Sequence, residues 1–264
     1  MKTSDMFVVR RITEDITMIN DETRRKLREM SMEEMIVALD IQNTNNAYAA
    51  LPFDDRIKML VDYVYQEKYN GKVKRLLKQA RFRIPNAEAQ DIHYSERGLD
   101  RELLLELSTC QFIHNNSNVI LQGFTGSGKS FLACALGRQA CKQGIRTRYI
   151  RVPDLLMARD EAAEQKQGVG RLLKQYSNYK LLVLDEWLLD EPGEALRGML
   201  LELLERRYDS VSTVFCTQYA KKDWHQRLGG DVHADAIMDR IAHRAVWIET
   251  GEANMREHTA STRR

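Results

Sequence analysis

Gly123-Phe124-Thr125-Gly126-Ser127-Gly128-Lys129-Ser130 decides the fold of this chain. The octet satisfies G-x-x-x-x-G-K-[ST], the pattern of a loop that wraps nucleotide phosphates between a strand and a helix. Its flanks supply that setting. Asn118-Val119-Ile120-Leu121-Gln122 reads as a short buried strand, and Phe131 to Cys141 as an alanine-rich helix with Phe131, Leu132 and Leu136 among its apolar positions. Glycines let the backbone curl with its N–H groups inward, and the helix that follows adds partial positive charge at its N-terminus. Lys129 is placed to reach the β- and γ-phosphates of ATP, and the Ser130 hydroxyl to bind Mg²⁺. The expected nucleotide-binding residues are those of the octet together with Phe131.

A second anchor follows fifty-odd residues later. Lys180-Leu181-Leu182-Val183-Leu184-Asp185-Glu186 reads as a strand buried on both faces with two carboxylates at its C-terminal end. In open α/β sheets ligands sit outside that end. Asp185 is placed to hold Mg²⁺ through water, and Glu186 to orient and deprotonate an attacking water. An acidic pair at a strand end can also be mere solvated surface; the phosphate loop upstream is what favours the functional reading. Ser212-Thr213-Val214-Phe215-Cys216-Thr217 is a third core strand. Thr217 and Gln218 at its polar end either hydrogen-bond a γ-phosphate or the attacking water, or simply cap the strand. Spacing leaves both readings open. Arg146 to Val152 and Ala245 to Ile248 complete the strands, and Glu194 to Arg207 is an amphipathic helix.

Composition bounds the rest. The 264 residues are 43% apolar and 30% charged, enough for one α/β nucleotide-binding domain and a smaller module. No apolar run approaches the ~18 residues of a membrane span, and Arg10, Arg11, Glu14 and Asp15 interrupt the only apolar patch of the N-terminus. Cys110, Cys134, Cys141 and Cys216 are scattered without metal-ligand spacing, which implies reduced core thiols and a cytoplasmic protein. A net charge of +2 predicts no nucleic-acid partner by itself.

Residues 1–85 read as a small all-helical module and 86–264 as the ATPase domain. Met6-Phe7-Val8-Val9 is a strand or part of a frayed arm. Ser31-Met32-Glu33-Glu34 has the form of a capping box. Pro52-Phe53-Asp54 opens a helix with Ile57, Leu60, Val61 and Val64 on one face, and a second helical stretch runs from Val73 to Ala80 before Pro85 stops it. Lys72, Lys74, Arg75, Lys78, Arg81 and Arg83 fall within twelve residues that contain no acid. Such a run is either a solvated helix face or a set of contacts to a phosphate backbone. Asp100 to Ile113 and Ala234 to His243 read as helices, Gln165 to Gly170 as a break, and Glu257 to Arg264 as a frayed tail.

The phosphate loop, the Asp185-Glu186 strand, the Thr217-Gln218 strand end and the pairs Asp239-Arg240 and Met255-Arg256 occur in one order. That order resembles the IstB-type ATPases of insertion sequences, AAA+ proteins related to DnaC-type helicase loaders. The likeness runs from about Asp54 to Arg256. It includes stretches outside the nucleotide site, among them Ala80-Arg81-Phe82-Arg83-Ile84-Pro85-Asn86-Ala87 and Ala234-Asp235-Ala236-Ile237-Met238-Asp239-Arg240. The resemblance implies a parallel sheet between helices and no C-terminal lid domain. It places sensor 1 on Gln218 or Thr217, an arginine finger for a neighbouring subunit on Arg240, and sensor 2 on Arg256. It implies ATP-bound homo-oligomeric rings or spirals on duplex DNA that assist an IstA-like transposase. A replicative helicase loader is the main rival. A small-molecule kinase would need an arginine-rich lid after the third strand, and a transposase proper a separate carboxylate cluster; neither pattern is apparent.

Overall fold

The computed structural model describes residues 20–94, 98–251 and 255. The chain divides into two compact units, Met1–Lys72 and Val73–Arg264. The expected module boundary at residue 85 lies downstream of this division, and the first strand expected, Met6 to Val9, is outside the described residues.

The first unit is helical. α1 (Asp21–Glu29) is capped by Asn20, whose side chain accepts from Thr23 N at 2.8 Å. The expected capping box at Ser31 does not form. Ser31 has φ 55° and closes the preceding turn, its N–H donating to Arg28 O, so α2 (Glu33–Thr44) starts from Met32 without a side-chain cap. A salt bridge from Arg24 to Asp40 joins α1 to α2. After a 3₁₀ turn at Asn46–Ala50, α3 runs unbroken from Phe53 to Ala80, where two helical stretches were expected. Gly71 lies inside it; a single glycine costs a helix only about 1 kcal/mol. The apolar face is narrower than the sequence suggests. Leu60 and Val64 are buried, while Ile57 and Val61 are exposed together with Phe53 and Tyr65.

The second unit is built on five parallel strands: β1 (Asn118–Gln122), β2 (Thr147–Arg151), β3 (Leu181–Asp185), β4 (Ser212–Thr217) and β5 (Ala245–Glu249). Their order is β2-β3-β4-β1-β5, with every pairing parallel. Parallel strands need crossovers, and those crossovers cover both faces with helices. Alternating side chains therefore feed two cores. Val119, Leu121, Tyr149, Leu181, Val183, Val214 and Cys216 face α6 (Lys129–Lys142), with α4 (Arg101–Ser108) and α5 (Gln111–His114) beyond it. Ile120, Ile150, Leu182, Leu184 and Phe215 face the other side. There lie α7 (Val152–Ala163), α8 (Gly168–Ser177), α9 (Glu194–Arg207), α10 (Lys221–Arg227) and α11 (Val232–Ala242).

Two local departures from the sequence reading have clear causes. The helix expected over Asp100–Ile113 is broken at Cys110, which adopts φ 63°. The segment after α3 belongs to the first of these cores, because Ala80, Phe82 and Ala87 are buried with Leu132 and Leu136. Gly137 of α6 admits the Phe82 ring: a Cβ there would lie 2.9 Å from its Cζ. All four cysteines are free and buried.

Candidate nucleotide site

The strand order places the ends of β1, β3 and β4 side by side, and the phosphate loop leaves β1 there. Gly126 (φ 94°) and Gly128 (φ 86°) occupy the left-handed region, which lets the loop reverse and enter α6 within a few residues. Gly123 answers a different need. A Cβ at this position would collide with Thr250 Oγ1 and lie 2.8 Å from Ser127 Oγ. Those two hydroxyls hydrogen-bond each other at 2.6 Å, out of solvent, and Thr250 Oγ1 donates to Gln122 O at 3.1 Å. The residue after β5 thus braces the loop from behind. Lys129 Nζ donates to Gly123 O and Phe124 O, both at 2.7 Å, so its ammonium lies across the loop.

The two carboxylates beyond β3 meet the loop in different ways. Asp185 is 2% exposed. Its Oδ2 accepts from Ser130 Oγ at 2.6 Å and from Tyr149 OH at 2.5 Å, and its Oδ1 accepts from Glu186 N at 2.8 Å. Burial, with the Asp185 charge beside it, pushes the Tyr149 phenol far above its usual pKa, so it stays a donor. Glu186 sits at φ 59°, a conformation uncommon outside glycine. Trp187 fixes that bend: its N–H donates to Cys216 O at 2.8 Å, and its buried ring packs on Phe215 and Trp224. The Glu186 side chain then meets two guanidinium groups, Arg83 Nη1 at 3.1 Å and Arg151 Nη1 at 3.7 Å.

At the end of β4 the two open candidates separate. Thr217 is buried and its Oγ1 accepts from Tyr219 N, a strand-capping role. Gln218 reaches the loop, its Oε1 accepting from Thr125 Oγ1 at 3.2 Å. Phe131 packs against the core beneath the loop. Arg256 lies outside the described residues; its neighbour Met255 donates its N–H to Gly126 O at 3.0 Å.

Arg240 is not part of this constellation. Asn118 Nδ2 donates to the carbonyls of Arg240 and Ile241, which puts the end of α11 at the start of β1. The loop leaves the opposite end, four residue steps and therefore roughly 13 Å along the strand. The Arg240 side chain is paired with Glu205 of α9. Of the basic run, Lys72, Lys74, Arg75, Lys78 and Arg81 are exposed, whereas Arg83 is engaged with Glu186.

Sequence reasoning missed Tyr149, Arg151 and Thr250, and it singled out Arg83 only as part of the basic run, not as the partner of Glu186. For the first two a signal existed. Tyr149 and Arg151 alternate with Ile150 on β2, and β2 pairs in register with β3 as Arg151 to Asp185, so both fall on the loop side.

The donors available to a cation are a serine hydroxyl and a carboxylate, hard oxygens that suit Mg²⁺. No cluster of three or more His, Cys, Asp or Glu side chains suited to a metal exists among the described residues. That is compatible with an ion which usually takes one or two protein oxygens and completes its shell from phosphates and water. The residues present fit ATP with Mg²⁺. No helix among the described residues is long and apolar enough to cross a membrane.

Known proteins are similar to this chain in sequence and in fold. An insertion-sequence ATP-binding protein of Sinorhizobium fredii is 34% identical over 242 residues, covering 91% of this chain and 98% of its own. The ATP-binding protein of insertion sequence IS1162 from Pseudomonas fluorescens is 35% identical over 202 residues, 76% of this chain and 87% of its own. Among solved structures, the DnaC helicase loader superposes with a TM-score of 0.52 over 62% of this chain and 96% of that one, at 22% identity, a likeness of fold. Residues 25–263 match the family described as IstB-like ATP binding protein, and this chain belongs to that family.

Proposed function

We propose that this protein is an ATPase that assembles on duplex DNA as a homo-oligomer and assists a transposase in choosing and joining its target. The observation that carries the reading is the separation of Arg240 from the loop. One chain brings together Lys129, Ser130, Asp185, Glu186 and Gln218, while the arginine suited to stabilising transferred charge stands at the other end of β1. A site so divided is completed by a neighbouring subunit.

Within that reading each side chain has a defined task. The loop amides and Lys129 hold the β- and γ-phosphates. Ser130 and Asp185 hold Mg²⁺, which supplies Lewis-acid charge at the phosphates. Glu186 takes a proton from the attacking water once its carboxylate is free of Arg83 and Arg151. Gln218, rather than Thr217, orients that water, because the Gln218 side chain hydrogen-bonds Thr125 of the loop whereas the Thr217 hydroxyl accepts from Tyr219 N. The helical unit serves subunit joining or partner binding. Lys72, Lys74, Arg75, Lys78 and Arg81 contact DNA phosphates without reading sequence, so binding weakens steeply with salt.

Complementation tests the divided site. Arg240→Ala is expected to bind ATP normally and lose about 10³–10⁵ in hydrolysis rate, the range for an arginine finger. Lys129→Ala is expected to lose nucleotide binding. Mixing the two regenerates some sites that have both an intact loop and an intact finger. If DNA-stimulated hydrolysis never recovers in any mixture, contact across subunits is wrong. Capture of a replicative helicase in place of a transposase would instead favour a helicase loader, the reading that shares this fold.

A further inference from the structure

We infer that Tyr149 is a positioning residue whose hydroxyl fixes the Asp185 carboxylate in the orientation that receives the divalent cation. The inference rests on the proposed nucleotide site and adds to it a contact from β2.

Asp185 Oδ2 has two donors of unequal permanence. Ser130 belongs to the first turn of α6, directly after the phosphate loop, and its oxygen would itself be a cation ligand on the proposed reading. Tyr149 belongs to β2, whose ladder with β3 runs Tyr149 to Val183 and Arg151 to Asp185. Tyrosine and carboxylate are therefore held by one sheet, whatever the loop does. The 2.5 Å hydrogen bond spans two residues along that ladder, the repeat of side chains on one face.

Packing alone does not explain the hydroxyl. Tyr149 is 5% exposed and belongs to the core cluster under α6 that also holds Val183, Cys134 and Leu132. A phenylalanine would make the same apolar contacts and bury no polar atom, and burying a hydroxyl is unfavourable unless it is bonded. What the hydroxyl adds is a directional bond to one oxygen of the carboxylate that faces the loop serine, with the Arg83 guanidinium as its other polar neighbour. Partners of this kind, which orient a metal-holding group without touching the metal, typically carry 10–100-fold in metal affinity.

The test compares the full chain with Tyr149→Phe and Tyr149→Met, both of which fill the space without a hydroxyl. A fluorescent non-hydrolysable ATP analogue is titrated first in EDTA and then with Mn²⁺, whose sharp electron spin resonance signal from the free ion gives the bound fraction by difference. The expected result is metal-free nucleotide binding within about twofold of wild type and Mn²⁺ affinity about 10–100-fold weaker in both variants. Equal loss of nucleotide binding with and without metal would show that the residue only supports packing and would overturn the inference. So would unchanged Mn²⁺ affinity alongside a lowered melting temperature. If the wild-type chain binds no nucleotide at all, the site assignment itself falls, an outcome distinct from either of these.

Discussion

Asp185 and Glu186 are consecutive residues of the same charge, yet the fold surrounds them with opposite chemistry. Asp185 ends β3 inside the protein, and its partners are a serine hydroxyl, a tyrosine hydroxyl and one backbone amide. Glu186 turns out of the strand at φ 59° and meets two arginines, one from β2 and one from the segment after α3. Uncharged donors on rigid elements hold a carboxylate in place. Guanidinium groups that are themselves partly exposed hold it reversibly, because water and other anions compete for them. On the proposed reading, that contrast separates a group held fixed for the cation from one released to accept a proton.

The sharpest way to break this comparison is to neutralise each carboxylate. Asp185→Asn removes the charge that holds the metal and leaves amide hydrogens facing Tyr149 and Ser130. Several kcal/mol of metal-derived stabilisation is at stake, so turnover is expected to fall by about 10³-fold or more. The mispaired buried amide costs folding stability of about 1–3 kcal/mol. Titrating hydrolysis against Mg²⁺, and unfolding with urea, reads both effects. Glu186→Gln is expected to differ in kind. Nucleotide and metal affinity persist, hydrolysis drops by about 10²–10⁴-fold, and the protein accumulates as an ATP-bound oligomer on DNA, visible by electron microscopy. Should the two variants show the same Mg²⁺ profile, the division of labour between them is unfounded.

How far the sequence reveals this site follows from where the contacts come from. The octet at Gly123–Ser130 and the apolar run ending in Asp185-Glu186 are local patterns, since strand, turn and helix propensities decide them within a few residues. The core strands were legible for the same reason, as runs of Val, Ile, Leu and Phe between turns. Contacts across the sheet were not. Nothing near Arg83 in the chain announces Glu186, which is 103 residues away, and the run of basic residues around it points instead to DNA. Thr250 carries no local signal, although its hydroxyl and that of Ser127 brace the loop. The choice between Thr217 and Gln218 depends on which way the chain turns after β4, a matter of backbone geometry beyond the strand pattern. Within the helical unit, periodicity put Ile57 and Val61 on the same face as Leu60 and Val64. Adjacent apolar positions define two stripes rather than one, and only packing decides which is covered.

Arg83 offers the smallest and most discriminating test of reversibility. Its side chain is 45% exposed and that of Glu186 22%, so the pair resembles a surface ion pair more than a buried one. Exposed pairs are worth about 0.2–1 kcal/mol, which limits the effect of releasing Glu186 to about fivefold in rate. Arg83→Ala is therefore expected to raise DNA-free turnover by up to about that factor. Nucleotide affinity should stay as in wild type and the Mg²⁺ dependence should shift only slightly, because Arg83 also borders the Tyr149 hydroxyl and the Asp185 charge while the hydroxyl and amide donors to Asp185 remain in place. Arg83→Lys keeps the charge and is expected to fall between the two. A tenfold loss of turnover in Arg83→Ala would mean that the guanidinium orients the base for reaction instead of restraining it. The grip on Glu186 would then be as fixed as the grip on Asp185, and the contrast between the neighbours would reduce to burial alone.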